Sequence, residues 1–323
     1  SMAIRIAAGV ALAAAFATSA LAQEVVLKGA SGFPEGTAYS SKFEAFVKQV
    51  NDKGKGLVRI NYLGGAPKVM PTFDVGKSLR DGLVDIISNT GAYYTNVVPE
   101  ADALKLLEIP MAELRKNGGL AYVEKIHNEK MKAHYLARLY SYDEFHIYLN
   151  KEIKKPDFTG LKIRVTPIYR AMVEKLGGTA VTSAPPEIYT MLERNTVDGY
   201  GWPARGIFDF SWQKVTKFRV DPGFYNVDLQ LLVNLDVWTK KLNDAQRKLL
   251  SDIAMAIETD TADKAVNDSE RKKQEEAGIK VIRFSAEDEK KYLAVIRDAG
   301  WESVVKASPE HGPKLREFFT KKN

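Results

Sequence analysis

The sequence predicts an α/β protein of two lobes, and three observations carry that prediction. A strand–helix–strand–helix–strand pattern occupies residues 160–203, and a similar pattern fills the first part of the chain after residue 23. A helical stretch over residues 243–277 would be ~50 Å long as one helix, enough to run along both lobes, and two helices with a break near residues 259–261 fit the same stretch.

At the start of the chain, residues 2–23 carry one arginine, Arg5, and then an uncharged alanine-rich run that closes on Ala20-Leu21-Ala22. A basic region, an apolar core and an A-x-A signal predict a secretory leader over residues 1–22, cleaved before Gln23, with Ser1 read as a cloning scar. The run is short and weakly hydrophobic for a spanning helix. The absence of cysteine excludes disulfides, a lipid-anchored cysteine and cysteine–metal sites. A remaining chain of about 300 residues must rely on core burial, usually in two domains. The sequence has 47 Lys and Arg against 41 Asp and Glu, and 46 against 41 without Arg5. No Lys/Arg run interleaved with aromatics appears apart from a short tail at residues 314–322. The charge therefore reads as a diffuse solvated surface, and no nucleic-acid partner is expected.

Val25-Val26-Leu27 reads as a strand and residues 29–34 as a loop. Residues 39–52 read as a helix with Phe43, Phe46, Val47 and Val50 on one face. Residues 57–62 alternate as a strand, residues 73–79 form a second helix that Gly82 stops, and residues 84–87 form the next strand. The stretch Leu79-Arg80-Asp81-Gly82-Leu83-Val84-Asp85 matches Leu192-Glu193-Arg194-Asn195-Thr196-Val197-Asp198: Leu, two charged residues, a residue that tolerates the left-handed conformation, one more, then Val-Asp. This correspondence suggests two similar lobes, in which Asp85 and Asp198 are structural. Residues 135–150 and 227–233 suit strands that pass between them, and a cleft between joined lobes suits hinge closure.

In Leu161-Lys162-Ile163-Arg164-Val165 the pleat puts the apolar residues on one face and the cations on the other. Thr166-Pro167 then starts a helix, with Thr as its cap and Pro at its first position. A guanidinium held at the carboxyl end of a strand, beside a helix N-terminus, suits an anion. A solvated arginine at a sheet edge fits the same residues.

The runs GLKIRV, TAVTSAPPEIYTML and NTVDGYGWP, in that order and spacing, resemble the DctP-type substrate-binding proteins of TRAP transporters, periplasmic receptors that capture organic acids for a membrane permease. The similarity covers residues 25–253. It implies a type II-like two-lobe periplasmic binding fold with central mixed sheets, crossing hinge strands and the long helix along both lobes. Lobe I would hold residues 23–142 and 231–272, and lobe II residues 143–230 and 273–323. The implied partners are a small carboxylate and the TRAP membrane permease subunits, and the implied location is the periplasm; a monomer without a cofactor or bound metal is expected, although in some members of the family a metal ion helps hold the carboxylate. Arg164 matches the family's arginine that pairs with the ligand carboxylate.

Departures from the family bear on the ligand. Where many members have an acidic residue and Asn before the proline, this chain has Gly201-Trp202-Pro203, and Trp offers stacking surface in place of an amide. Thr90 and Tyr93 stand where sugar-acid binders carry a glutamate and a second arginine, and His146 lies near where a further arginine is sometimes found. The expected ligand is a small monocarboxylate with an apolar or aromatic body. Asp228 is expected to accept a hydrogen bond from a ligand hydroxyl or from backbone, while Ile168 and Phe33 form apolar walls. An enzyme is disfavoured: His127 and His134 lie too far apart for a metal pair, and no H-E-x-x-H, G-x-S-x-G, Walker loop or G-x-G-x-x-G follows a strand. A receptor for a sensor or an ABC importer on the same fold stays open.

Overall fold

The computed structural model describes residues 24–323; the expected leader lies outside them. Strands β1 (Val25–Ser31) and β2 (Val58–Gly65) pair in parallel, joined by helix α1 (Ser41–Lys53), whose stripe Phe43, Phe46, Val47 and Val50 is buried. Helix α2 (Val75–Arg80) leads to β3 (Ile86–Asn89) on the other side of β1, and helices α3 (Met111–Lys116) and α4 (Gly119–Met131) precede β4 (Ala133–Tyr140).

Residues 141–144 carry the chain to β5 (Phe145–Leu149), the first strand of another sheet. There follow β6 (Lys162–Val165), α5 (Pro167–Lys175), β7 (Thr179–Thr182), α6 (Ile188–Glu193), β8 (Gly199–Pro203) and β9 (Phe218–Phe224). Residues 225–228 return the chain to β10 (Leu229–Asn234), which enters antiparallel between β3 and β4. Helices α7 (Asp244–Glu258) and α8 (Val266–Glu276), β11 (Lys280–Arg283), α9 (Ala286–Ala307) and α10 (Gly312–Phe319) complete it. The first sheet has the order β2-β1-β3-β10-β4, the second β11-β9-β5-β8-β6-β7, and both are mixed.

The correspondence between the lobes extends to their hydrogen bonds. Asp85 accepts from the Lys28 N–H at 2.8 Å, and Asp198 from the Lys162 N–H at 2.9 Å; each also ties its own N–H to the same lysine's carbonyl. Gly82 and Asn195, at matching places, both have positive φ, +76° and +54°. These aspartates hold a strand in register.

The 243–277 stretch is two helices and not one, with the break at residues 259–261 that the sequence left open. Asn243 caps α7 by accepting from the Gln246 N–H. The helix then ends where short polar side chains offer the backbone other partners: Thr259 bonds back to the Met255 carbonyl and Asp260 accepts from the Ala262 N–H. Together the helices still span the lobes. Helix α7 packs on α1 and β4, and Gln274 of α8 donates to the Tyr148 hydroxyl and the Ala204 carbonyl. The residues after 273 divide their packing: Tyr292 and Ile296 of α9 join a core cluster with second-sheet residues, whereas Trp301, Val304, Leu315 and Phe319 join one built on the first lobe.

Candidate functional site

The pleat of β6 puts Arg164 and, two residues on, Thr166 on one face of the strand end. The guanidinium is fully buried. Its Nε donates to the Ser183 carbonyl at 3.0 Å and its Nη1 to the Gly201 carbonyl at 3.1 Å, while Nη2 meets no protein acceptor. Among the described residues no carboxylate pairs with it. Burial pushes its pKa below the ordinary value, and the hydroxyls of Tyr93 and Tyr169 act in the opposite direction. An arginine still keeps its proton at neutral pH.

Phe33, Tyr39, Thr90 and Tyr93 approach from the first lobe; Phe145, Arg164, Thr166, Ile168, Tyr169, Trp202 and Pro203 approach from the second, with Val227 and Leu229 on the returning segment. The room left between them for the centre of a water molecule is about 10 Å³, roughly one water. Larger grooves of about 400 and 560 Å³ lie near the two lobe crossings, around Tyr225 and Arg115. Of the cations that line them, Arg115 holds Glu258 at 2.9 Å, the buried Lys105 holds Asp102 at 2.6 Å, and each guanidinium nitrogen of the buried Arg138 donates to a backbone carbonyl.

The Trp202 indole is edged by Trp212 at 4.9 Å, Phe210 at 5.9 Å, and Phe33 and Tyr39 at 6.1 Å, with the Arg164 guanidinium 5.9 Å from its centroid. Two glycines permit this packing. A Cβ on Gly201 would come within 2.5 Å of the Tyr169 ring, and one on Gly206 within 2.8 Å of the indole Nε1. The space a side chain at position 201 would take is therefore filled by Tyr169.

Arg164, Trp202, Tyr93, Thr90, Ile168 and Phe33 thus meet in one cavity, and two expected residues do not. His146 is buried with both nitrogens engaged: Nδ1 donates to the Val220 carbonyl at 2.9 Å, and Nε2 accepts from Arg271 Nε at 3.0 Å. Burial lowers its pKa to about 4, so it is neutral at pH 7. Asp228 points away from the cavity that Val227 and Leu229 line, as alternation along a strand requires. Its carboxylate accepts from the Gly91 N–H at 2.8 Å and from Gln230, and burial raises its pKa to about 6. It fixes the turn that carries Thr90 and Tyr93. The sequence reading missed Tyr39, Phe145, Thr166 and Tyr169. Thr166 had a signal, its two-residue offset from Arg164, but was assigned to capping; its side chain makes no cap bond and its buried Oγ1 has no partner.

Several contacts join the lobes around this cavity. Tyr39 donates to Asp143 at 2.8 Å, and Arg205 holds Asp143 through two bonds of 2.5 and 3.0 Å and Asp263 at 3.1 Å. Lys42 also pairs with Asp263. The buried Lys105 donates to the Ile168 carbonyl at 3.0 Å. A fully buried cation with unused donors thus faces the place where the two lobes meet.

The DctP profile, described as bacterial extracellular solute-binding protein, family 7, matches residues 30–303, and the chain belongs to that family. A monocarboxylate 2-oxoacid-binding periplasmic protein of Nostoc sp. is 25% identical over 209 residues, 61% of this chain and 56% of the relative, so the alignment spans little more than half of that protein. Among solved structures, a Bordetella pertussis extracytoplasmic solute receptor binding pyroglutamic acid is similar at TM-score 0.80 and 14% identity, covering 92% of this chain and 100% of that one. A marine metagenome TRAP solute-binding protein specific for aromatic acid ligands, with 3-hydroxybenzoate, is similar at TM-score 0.72 and 22% identity, covering 92% and 97%. A TRAP periplasmic protein from Desulfovibrio salexigens with orotic acid is similar at TM-score 0.79 and 16% identity, covering 92% and 97%. At these identities the structures share the fold. Among the described residues no helix is long and apolar enough to cross a membrane.

Proposed function

We propose that this chain is the periplasmic receptor of a TRAP-type transporter, capturing a small monocarboxylic acid with an apolar or aromatic body and delivering it to membrane permease subunits. The observation that carries the reading is Arg164, fully buried, with donors unused and no carboxylate beside it. A buried charge without a counter-ion is costly, and a ligand carboxylate supplies one. In a dry cleft that pair is worth well beyond the ~0–1 kcal/mol of an exposed ion pair. Phe33, Phe145, Ile168, Trp202 and Leu229 form the walls for the acid's body. The carboxylic acids named for the relatives support the ligand class, and family membership supports a receptor and not an enzyme.

The lobes clasp the ligand because it binds the closed form better than the open one. The test is a thermal-shift screen of monocarboxylates, sugar acids and neutral sugars against the protein and Arg164→Ala. A ligand at 100 times its Kd stabilises by ~2.7 kcal/mol. Monocarboxylates should raise the melting temperature of the wild type and leave the variant's unmoved. A response to neutral sugars, or an equal response from Arg164→Ala, would sink the proposal.

A further inference from the structure

Besides Trp202 Nε1, which lies against Gly206, three buried polar groups of the cavity wall have no partner within the protein: Arg164 Nη2, Thr166 Oγ1 and Thr90 Oγ1. Buried polar atoms are almost always hydrogen-bonded, because one left bare pays its full desolvation cost. The three are placed unevenly. Arg164 and Thr166 share one face of β6 in the second lobe. Thr90 comes from the first lobe, on the turn fixed by Asn89, which accepts the Thr90 N–H at 3.0 Å, and by Asp228, which accepts that of Gly91. Both threonines occupy cap positions of the turns that follow, and neither side chain caps.

A ligand carboxylate has two oxygens. Because Ser183 already holds Arg164 Nε and Gly201 one N–H of Nη1, the free donors lie along the Nη1–Nη2 edge, and Thr166 adds a third from the same strand face. These satisfy one carboxylate. Thr90, from the opposite lobe, is left over, and the cavity has too little room for solvent to serve it once a ligand is in place.

We propose that Thr90 and Thr166 are a specificity pair divided between the lobes: Thr166 joins Arg164 on the carboxylate, and Thr90 binds one further oxygen of the ligand. The chain then selects compact monocarboxylates that carry a hydroxyl or oxo oxygen over the same acids without it. The inference rests on Arg164 as the carboxylate's partner. It also ties recognition to closure, since Thr90 reaches the ligand only when the lobes meet.

The experiment is calorimetric titration of the purified protein with matched acids, pyruvate and lactate against propionate, and 2-oxoisovalerate against isovalerate. The wild type should favour the oxygenated member roughly 10- to 100-fold. Thr90→Val should shrink that ratio below about threefold, Thr90→Ser should keep it, and Thr166→Val should weaken both members of a pair alike. Equal binding of both members by the wild type, or an undiminished ratio in Thr90→Val, overturns the inference alone. If no acid of either kind binds, or Arg164→Met binds them as the wild type does, the carboxylate reading falls and takes the inference with it.

Discussion

Arg164 and Arg219 lie on the same six-stranded sheet, and both are withdrawn from solvent. Their surroundings are opposite. Arg219 holds Asp221 through two bonds of 2.8 and 3.0 Å and donates to Gln274 at 3.0 Å. Arg164 keeps two backbone carbonyls and faces aromatic rings with donors to spare. One arginine is consumed by the fold and the other is held ready by it. Burial alone does not set Arg164 apart: Arg138 is as buried and, among the described residues, also lacks a carboxylate, but each of its nitrogens donates to a backbone carbonyl, whereas Arg164 Nη2 has no partner.

The largest expected effect breaks the consumed pair. Arg219→Met should leave the buried Asp221 with only the exposed Arg283 at 3.6 Å and the neutral His146 beside it, and cost toward the lower end of about 3–5 kcal/mol of stability by denaturant unfolding. Burial pushes the Asp221 carboxyl up, but Arg219 together with His146 and Arg283 outweighs it and holds the group below the usual range, so the contribution fades as pH falls through that lowered pKa. Arg164→Met should do the reverse. It should change stability by less than about 1 kcal/mol, since relief of an unpaired charge offsets two lost backbone bonds, and weaken the ligand about 100-fold in calorimetry. A loss of stability as large as that of Arg219→Met would erase the comparison.

Acid unfolding sharpens it further. His146, on the Arg219 side, has its pKa depressed from 6.5 to about 4, so its contribution is complete above pH 6.5 and is lost as pH falls toward 4. Asp228, behind the cavity, has its pKa raised from 3.8 to about 6, so its contribution is present below 3.8 and is lost as pH rises through 6. Between pH 7 and pH 5 the two oppose each other, by about 2 and about 1.5 kcal/mol. Asp228→Asn should therefore lose stability steeply over that range, and His146→Asn should gain it. The smallest effect is expected between the two arginines' extremes, at Arg205. Asp263→Ala removes a partly exposed partner shared by Arg205 and Lys42, and should cost under about 1 kcal/mol with a few-fold rise in ligand Kd.

Most of the fold was legible because periodicity and punctuation agree along the chain. The β6-α5-β7-α6-β8 run, the left-handed Gly82 and Asn195, and the strands that change lobes all follow from local chemistry. Arg164 was legible as a charge at the end of a strand. The resemblance draws His146 toward the cavity and Asp228 stays open between ligand and backbone, and the structure gives it the Gly91 backbone; β5 and β10 are buried on both faces, so nothing in their sequence tells which parity faces the ligand. Tyr39, Phe145 and Tyr169 read as ordinary core residues, since only the meeting of two lobes turns them into a wall. The break after Glu258 depends on side chains that offer the backbone a local alternative, a balance too fine for periodicity to register.

The insertion of β10 between β3 and β4 has a consequence in time. A chain made from its amino end cannot finish its first sheet until every strand from β5 to β9 has been synthesised, because an interior strand of that sheet is encoded after them. A nascent or truncated chain ending before residue 229 presents β3 and β4 with open edges, the state in which such strands pair with the wrong partner. Neither lobe can therefore be obtained by cutting the gene once: each is a folded object only when the whole ribbon is present.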